Sequence, residues 1–147
     1  MEYMTERLIG QVCQEIESGT IDCLNQYALI KAQAKEYVRQ MQERLILKPV
    51  ADRRLMSLKS VEAIEQQLMQ MLKTWREQAP GLPGYVGGNT INLLRYLKCD
   101  VCCHDFSNLA VWQPYLRGLD LHKVNLASSD LRTSVFTEAC IMAKRKK

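Results

Sequence analysis

Hydrophobic residues in the first part of the chain recur at the spacing of α-helices. The first apolar stripe follows a 3.6-residue period and consists of Leu8, Ile9, Val12, Cys13 and Ile16. Thr5 precedes this stripe and is a suitable N-cap, while Ser18-Gly19 ends it. The pattern therefore predicts a first amphipathic helix that ends near residue 18.

Two further helical patterns follow. The second begins near Thr20 and is limited by Pro49, because the residue before a proline avoids the α region. Its apolar stripe consists of Leu24, Tyr27, Ala28, Ala34, Val38, Met41 and Leu45. After a short turn or helix over residues 50–58, Ser60 is a suitable N-cap for the third helix. The stripe of the third helix consists of Ile64, Leu68, Met71, Leu72 and Trp75.

The pattern changes after residues 79–84, which contain two prolines and two glycines and form the strongest boundary in the chain. Thr90 is then predicted to cap one short helix over residues 91–98. Beyond that helix, every fifth residue is apolar: Phe106, Val111, Leu116, Leu121, Leu126, Leu131 and Phe136. Neither a helix nor a strand has a period of five, so these pentads are an internal repeat.

The seven pentads resemble the pentapeptide-repeat family, whose consensus is roughly Ala-(Asp/Asn)-Leu-x-x. The best matches are residues 124–128 and 129–133. The resemblance implies a right-handed quadrilateral β-helix with four pentads to a coil and the seven apolar residues stacked inside. Leu109, Pro114 and Leu119 stand where the family prefers a small residue, so we expect the first coil to be distorted.

A wider resemblance spans about residues 1–138. It is carried by residues 3–9, 28–40, 44–49, 83–89 and 105–113. These stretches resemble the region between the winged-helix domain and the WD-repeat propeller in cyanobacterial signalling ATPases of the NB-ARC or NACHT type. The resemblance implies a piece of a STAND-class switch protein. Residues 143–147 depart from it, which indicates a truncated reading frame or a gene remnant.

Together these patterns predict an α+β fold, in which an N-terminal α-helical bundle or hairpin is followed by a short right-handed quadrilateral β-helix. The predicted divisions are an α-helical linker domain (1–79), a Pro/Gly linker with a short helix (80–98), the seven-pentad β-helix (99–138) and a basic tail (139–147).

The charge distribution argues against a nucleic-acid partner. Positive and negative side chains are equal in number within residues 1–79 and again within residues 80–143, so the net charge of +4 comes entirely from residues 144–147. Four charges at one end are a weak indication of phosphate contacts. The chain also has no run of about 18 apolar residues and no apolar signal segment, which predicts a cytoplasmic protein with reduced thiols and no membrane contact.

Nucleotide binding is not expected in this chain. A P-loop requires Gly-x-x-x-x-Gly-Lys-(Ser/Thr), and the sequence contains no such run. Gly87-Gly88-Asn89 precedes a predicted helix but lacks an accompanying lysine, so we interpret it as a structural turn rather than a phosphate site.

Cys99, Cys102, Cys103 and His104 form the sharpest chemical cluster in the sequence. Cys-x-x-Cys is half of a zinc site, but no second pair follows, and cysteine is also a small hydrophobic residue favoured in cores. We expect buried thiols, with a metal or redox role as the alternative. No catalytic, cofactor-binding or metal-binding residue is therefore predicted.

Other chemistry-bearing residues are also interpreted as structural. Asp105, Asp120, Asn125 and Asp130 hold equivalent positions in the repeat, where they are expected to bond turn backbone rather than to act as acid and base. Trp75 and Trp112 are expected in the core. The stripe of the second helix is expected to be a packing face, or in a fragment an open docking face.

The sequence thus predicts a non-enzymatic structural or interaction module that joins an ATPase to a sensor propeller and transmits their relative motion. As a free chain it is expected to bind a protein partner or to self-associate through the open end of the β-helix, around Leu131 and Phe136. The first alternative is a free-standing pentapeptide-repeat protein that acts by protein binding or DNA mimicry. A zinc-dependent nucleic-acid binder is a third interpretation.

Overall fold

The computed structural model describes residues 2–31, 34–78, 84–99, 104–112, 114–116 and 124–125, with residues 2–5 described by their backbone alone. These residues hold six α-helices: α1 (Glu2–Ser18), α2 (Cys23–Gln26), α3 (Glu36–Gln42), α4 (Lys48–Leu58), α5 (Val61–Gln78) and α6 (Val86–Tyr96). A π-helical turn, Glu43–Leu47, joins α3 to α4.

The first and third predicted helices are confirmed as α1 and α5, but α1 begins at Glu2, so Thr5 is an internal residue and not its N-cap. At the end of α1, Gly19 adopts a φ of +80°, which glycine tolerates best, and its N–H donates to the Glu15 carbonyl at 2.8 Å. At the start of α5, the Ala63 N–H donates to Ser60 Oγ at 3.2 Å, as expected of an N-cap serine.

The prediction for the second helix is wrong in extent. A four-residue α2 and an irregular stretch replace its first part, and α3 is followed without a break by the π-helical turn and by α4, which contains Pro49 and ends at Leu58. A proline inside an α-helix clashes with the carbonyl four residues earlier. The π-helical turn relieves this clash because it widens the helix just before Pro49, where the Lys48 N–H donates to the Glu43 carbonyl.

Helix α6 begins earlier than predicted and lies in the centre of the fold. Thr90 is not its cap but an internal residue whose hydroxyl donates to the Val86 carbonyl at 2.8 Å. All nine residues from Val86 to Leu94 are buried. The stretch after the Pro/Gly boundary therefore contributes a core helix.

One hydrophobic core connects the helices to the residues that follow them. It includes Ile9 of α1, Leu68 of α5 and Leu94 of α6, together with Phe106 and Leu116. Burying each such side chain stabilises the fold by about 1.5–3 kcal/mol. We call α1–α6 the helical body, and residues 104–112 and 114–116 the junction segment.

The predicted β-helix is wrong. The described residues are mostly helical and contain no β-strand or sheet, and their isolated bridge is a parallel one between Asp105 and Asn125, which hold equivalent positions four pentads apart. That bridge consists of the Phe106 N–H donating to the Asn125 carbonyl at 2.8 Å and the Asn125 N–H donating to the His104 carbonyl at 3.0 Å.

The β-helix prediction fails because a five-residue apolar period specifies which side chains are buried, but not which partners the backbone N–H and C=O groups bond. In the junction segment, several of these bonds go to side chains of the helical body. Arg76 donates to the carbonyls of Asp105 and Ser107, and Asn92 accepts from the Tyr115 N–H. Backbone groups that a β-ladder requires are thus paired with helices.

Three of the seven predicted repeat-core residues lie in the described part of the chain. Phe106, Val111 and Leu116 are at most 1% exposed. The other four, Leu121, Leu126, Leu131 and Phe136, lie outside the described residues, as does the basic tail. The predicted self-association surface around Leu131 and Phe136 also lies outside the described residues. That prediction depended on the open end of a β-helix, and the β-helix prediction is wrong.

Candidate functional site

Several hydrogen bonds and ion pairs join the helical body to the junction segment, and we take this network as the candidate site. Arg76, in the last turn of α5, donates from Nε to the Ser107 carbonyl at 2.9 Å and from Nη2 to the Asp105 carbonyl at 2.8 Å. Its Nη1 also lies 3.8 Å from Asp105 Oδ2. One guanidinium therefore fixes two backbone carbonyls of the junction segment.

Asp105 in turn organises the backbone beside Arg76. Its Oδ1 accepts from the Ser107 N–H at 2.9 Å and from the Ser107 hydroxyl at 2.6 Å. Burial raises the pKa of the Asp105 carboxyl, but the two Ser107 hydrogen bonds and Arg76 outweigh burial, so the pKa is lowered. As predicted, this repeat aspartate bonds turn backbone.

His104 joins the junction segment to the middle of α5. Its Nε2 lies 2.5 Å from Glu65 Oε2, and both side chains are about three-quarters buried. The ring nitrogen that faces the helical body is thus engaged by a carboxylate. A metal ion at this position would have to displace that contact.

The neighbouring Cys99 thiol is held in its protonated form. Burial, followed by the nearby carboxylates of Glu65 and Glu62, raises the pKa of Cys99 to about 11. Zinc binding and nucleophilic attack both require a thiolate, which this environment disfavours. Cys102 and Cys103 lie outside the described residues.

Tyr115 lies against two arginines of the helical body. The Arg39 guanidinium carbon is 3.8 Å from the Tyr115 ring centroid, and that of Arg95 is 4.6 Å from it. Asn92 Oδ1 accepts from the Tyr115 N–H at 2.8 Å. The two arginine contacts are cation–π in character, and they connect α3, α6 and the junction segment at the Tyr115 ring.

Asn89 connects α6 to the stretch around α2. Its Nδ2 donates to the carbonyls of Leu24 and Tyr27, each at 2.8 Å, and its Oδ1 accepts from the Leu29 N–H at 2.8 Å. The side chain is 1% exposed, and two buried backbone groups and one partly buried carbonyl depend on this one amide.

The Gly87-Gly88-Asn89 stretch lies in the first turn of α6 rather than in a turn before it. A Cβ added to Gly87 would lie 2.8 Å from the Ala110 carbonyl oxygen, so the glycine permits the junction segment to approach. At the helix N-terminus, Asn25 accepts from the Tyr85 N–H at 3.0 Å and the Val86 N–H at 3.3 Å. Two N–H donors at this end of the helix are thus already used within the fold.

A second acidic site lies at the start of α2. The buried carboxylate of Glu15 accepts from the backbone N–H groups of Asp22, Cys23 and Leu24 at 2.8–3.0 Å, and from Gln11 Nε2 at 2.9 Å. Burial raises the pKa of Glu15, but these four donors outweigh it and the pKa is lowered.

Glu15, Asp22 and Cys23 are close enough in the described chain to hold a metal ion. However, the oxygens of Glu15 already accept four N–H groups. Burial and the neighbouring carboxylates Glu15 and Asp22 raise the pKa of the Cys23 thiol. This cluster is thus a helix cap rather than a ligand set.

The two tryptophans serve packing. Trp112 meets the ring of Tyr85 edge to face, with centroids 5.4 Å apart and an interplanar angle of 83°. Trp75 is partly buried against the hydrophobic core.

Sequence reasoning missed the buried polar residues that connect the elements of the fold. Glu15 occupies a position on the apolar face of α1, between Val12 and Ile16, and a charge there is a signal for a buried cap. Arg76 and Asn89 carried no comparable signal, because their partners are backbone groups far away in sequence.

Comparison with known proteins identifies a relative of this chain. The chain is 37% identical, over a 171-residue alignment, to an uncharacterized WD repeat-containing protein of the cyanobacterium Nostoc sp.. That alignment covers 94% of this chain but only 14% of the relative. No model of a known protein family and no solved structure matches the chain.

Within the described residues, the helices are too short or too polar to span a lipid bilayer. By its alignment, the chain corresponds to a short region of a much longer WD repeat-containing relative.

Proposed function

We propose that the chain is a non-enzymatic connecting module of a WD-repeat protein, which joins other parts of that protein. The observation that carries this proposal is that nearly the whole chain aligns with a small fraction of a WD repeat-containing relative. A region of that kind acts through contacts with what surrounds it.

The described residues support an interaction role over catalysis. The carboxylates of Glu15, Glu65 and Asp105 are engaged in contacts within the fold. Burial raises the pKa values of the Cys13 and Cys99 thiols, which keeps them protonated. Catalytic groups in an open site are usually left available to a substrate.

An exposed apolar stripe offers a docking face. Tyr37, Met41 and Leu45 recur at four-residue spacing along α3 and the π-helical turn, and they are 67%, 46% and 53% exposed. Large apolar side chains grouped on one helix face mark interaction sites more often than isolated ones do. We assign this stripe to the WD-repeat part of the longer protein.

In the fuller form of this proposal, the module lies between an NB-ARC nucleotide-binding part and a WD-repeat propeller in a cytoplasmic STAND-class signalling protein. The resemblance of residues 3–9, 28–40 and 83–89 to that connecting region supports this form. ATP then binds the nucleotide-binding part and not this module.

The test is calorimetric titration of the purified chain with the WD-repeat part of the Nostoc relative. The proposal expects a dissociation constant in the micromolar range, on the order of 10 μM. Replacing both Met41 and Leu45 by Ser should weaken binding at least tenfold, whereas Met56→Ser, at a 78% exposed position outside the stripe, should not. Absence of binding by the folded chain would overturn the proposal, and tight binding of Mg-ATP would overturn its fuller form.

A further inference from the structure

A row of polar residues runs beside the apolar stripe formed by Tyr37, Met41 and Leu45. Residues three and four positions apart are neighbours on a helix surface. Arg44 is three positions after Met41, and both residues are exposed. Lys48 is three positions after Leu45, and this pair is exposed as well. A partner that covers the stripe therefore also covers the row.

The other charged residues of this row already have partners within the helix. Lys48 Nζ lies 2.8 Å from Asp52 Oδ2, and Gln40 Nε2 donates to Glu36 Oε2 at 3.0 Å. The ion pairs between described residues do not include Arg44. In the described part of the chain, the Arg44 guanidinium thus keeps its donors available beside the stripe.

Covering an unpaired guanidinium has a cost that a carboxylate offsets. In water the charge of Arg44 is solvated, but a partner on the stripe would remove that water. A carboxylate replaces the lost water with two parallel N–H···O bonds, which match the planar end of arginine. Arginines that lie among apolar contacts are accordingly frequent among the residues that contribute most to protein–protein binding.

We propose that Arg44 binds a carboxylate of the WD-repeat part when that part docks on the apolar stripe. This inference rests on the proposed function and adds the chemistry of the partner surface, which is an apolar patch with an aspartate or glutamate opposite Arg44. Tyr37, Met41 and Leu45 supply the apolar contacts. Arg44 sets the orientation of the partner, because a guanidinium–carboxylate pair is directional.

The test is calorimetric titration of variants of the intact chain with the WD-repeat part of the Nostoc relative. Arg44→Met should raise the dissociation constant about tenfold. Arg44→Glu should raise it about 100-fold, because the reversed charge repels the partner's carboxylate. Arg53→Met is the matched control and should leave binding unchanged, since Arg53 pairs with Glu6 of α1. Circular dichroism checks that each variant is folded.

The outcomes separate this inference from the proposed function. Binding that Arg44→Met leaves unchanged, or that Arg44→Met and Arg44→Glu weaken equally, would overturn the inference and leave the proposed function in place. Absence of binding by the unmodified folded chain would overturn both. Sedimentation of the chain alone is the second measurement: self-association that Arg44→Glu abolishes would assign the stripe to a second copy and overturn the inference.

Discussion

The Nε of Arg76 lies 2.9 Å from the carbonyl oxygen of Ser107. This contact joins the last turn of α5 to a residue 31 positions later in the sequence. Because the same guanidinium also binds the Asp105 carbonyl, the junction segment cannot shift along α5 without losing both bonds. A charged donor to two backbone carbonyls contributes about 2–3 kcal/mol when it is mostly buried.

Substitution of Gly87 tests how closely the junction segment approaches α6. An alanine Cβ there would lie 2.8 Å from both the Ala110 oxygen and Val111 Cγ2. Gly87→Ala should therefore lower the free energy of unfolding by about 2 kcal/mol, because the backbone of the junction segment must move. Urea denaturation measures this change.

Gly10 is the matched control for Gly87. It also lies in a helix, but the nearest atom to its added Cβ is Arg53 Nη1, at 3.9 Å. Gly10→Ala should stabilise the protein by up to about 1 kcal/mol, since alanine has the higher helix propensity. Stabilisation by both substitutions would contradict the close approach at Gly87.

Replacement of Asn89 tests the connection between α6 and residues 24–29. Asn89→Ala should lower the free energy of unfolding by about 3 kcal/mol, because two buried backbone groups and one partly buried carbonyl lose their partner. Asn89→Asp should cost at least as much despite its similar size, because a carboxylate cannot donate to the Leu24 and Tyr27 carbonyls. The control is Gln14→Ala, at an exposed position of α1. An Asp variant as stable as the unmodified chain would be incompatible with this assignment.

Much of the helical body can be predicted from the sequence. The ends of α1 and α5 follow local rules: a glycine in the left-handed region after Ser18 and a serine cap at residue 60. The course of the chain around Pro49 cannot be predicted in this way. The proline is usually a stop signal, and only the packing of α4 against α1 makes a widened helix favourable there.

The junction is harder to predict than the helices. The burial of Phe106, Val111 and Leu116 agrees with a pattern visible in the sequence, but the backbone pairing does not follow from it. Side chains from α5 and α6 form hydrogen bonds with those backbone groups. No local rule connects Arg76 or Asn92 to partners 23–31 positions away in the sequence. Similar apolar patterns therefore support different hydrogen-bond arrangements.

Glu15 should make the protein sensitive to acid. Its folded-state pKa is lowered, so its ionised form stabilises the fold above the ordinary value of 4.5, and this contribution is lost as the pH falls through the folded pKa. Glu15→Gln should lower the free energy of unfolding at pH 7 by about 2 kcal/mol and by much less at low pH. Urea denaturation at pH 7 and near pH 3 measures the difference, with the exposed Glu77→Gln as control. An equal loss at both pH values would contradict the lowered pKa.

Cys99 should react slowly in the folded protein. A pKa of about 11 instead of 9.0 reduces the thiolate fraction at pH 8 by about 100-fold. Alkylation of Cys99 by iodoacetamide, followed by peptide mass spectrometry, should therefore be about 100-fold slower in the folded chain than in urea. Rapid reaction of the folded chain, or protection that disappears with a zinc chelator, would show that the thiol is ionised or metal-bound.

Hydrogen exchange resolved to peptides tests most directly whether the helical body and the junction segment fold as one unit. The account predicts that amides of α5, α6 and the junction segment open with free energies within about 1 kcal/mol of one another. Arg76→Met should lower protection in the junction segment, whereas Lys73→Met, at an exposed position of α5, should leave it unchanged. Complete exchange of the junction segment while α5 and α6 stay protected would contradict the account.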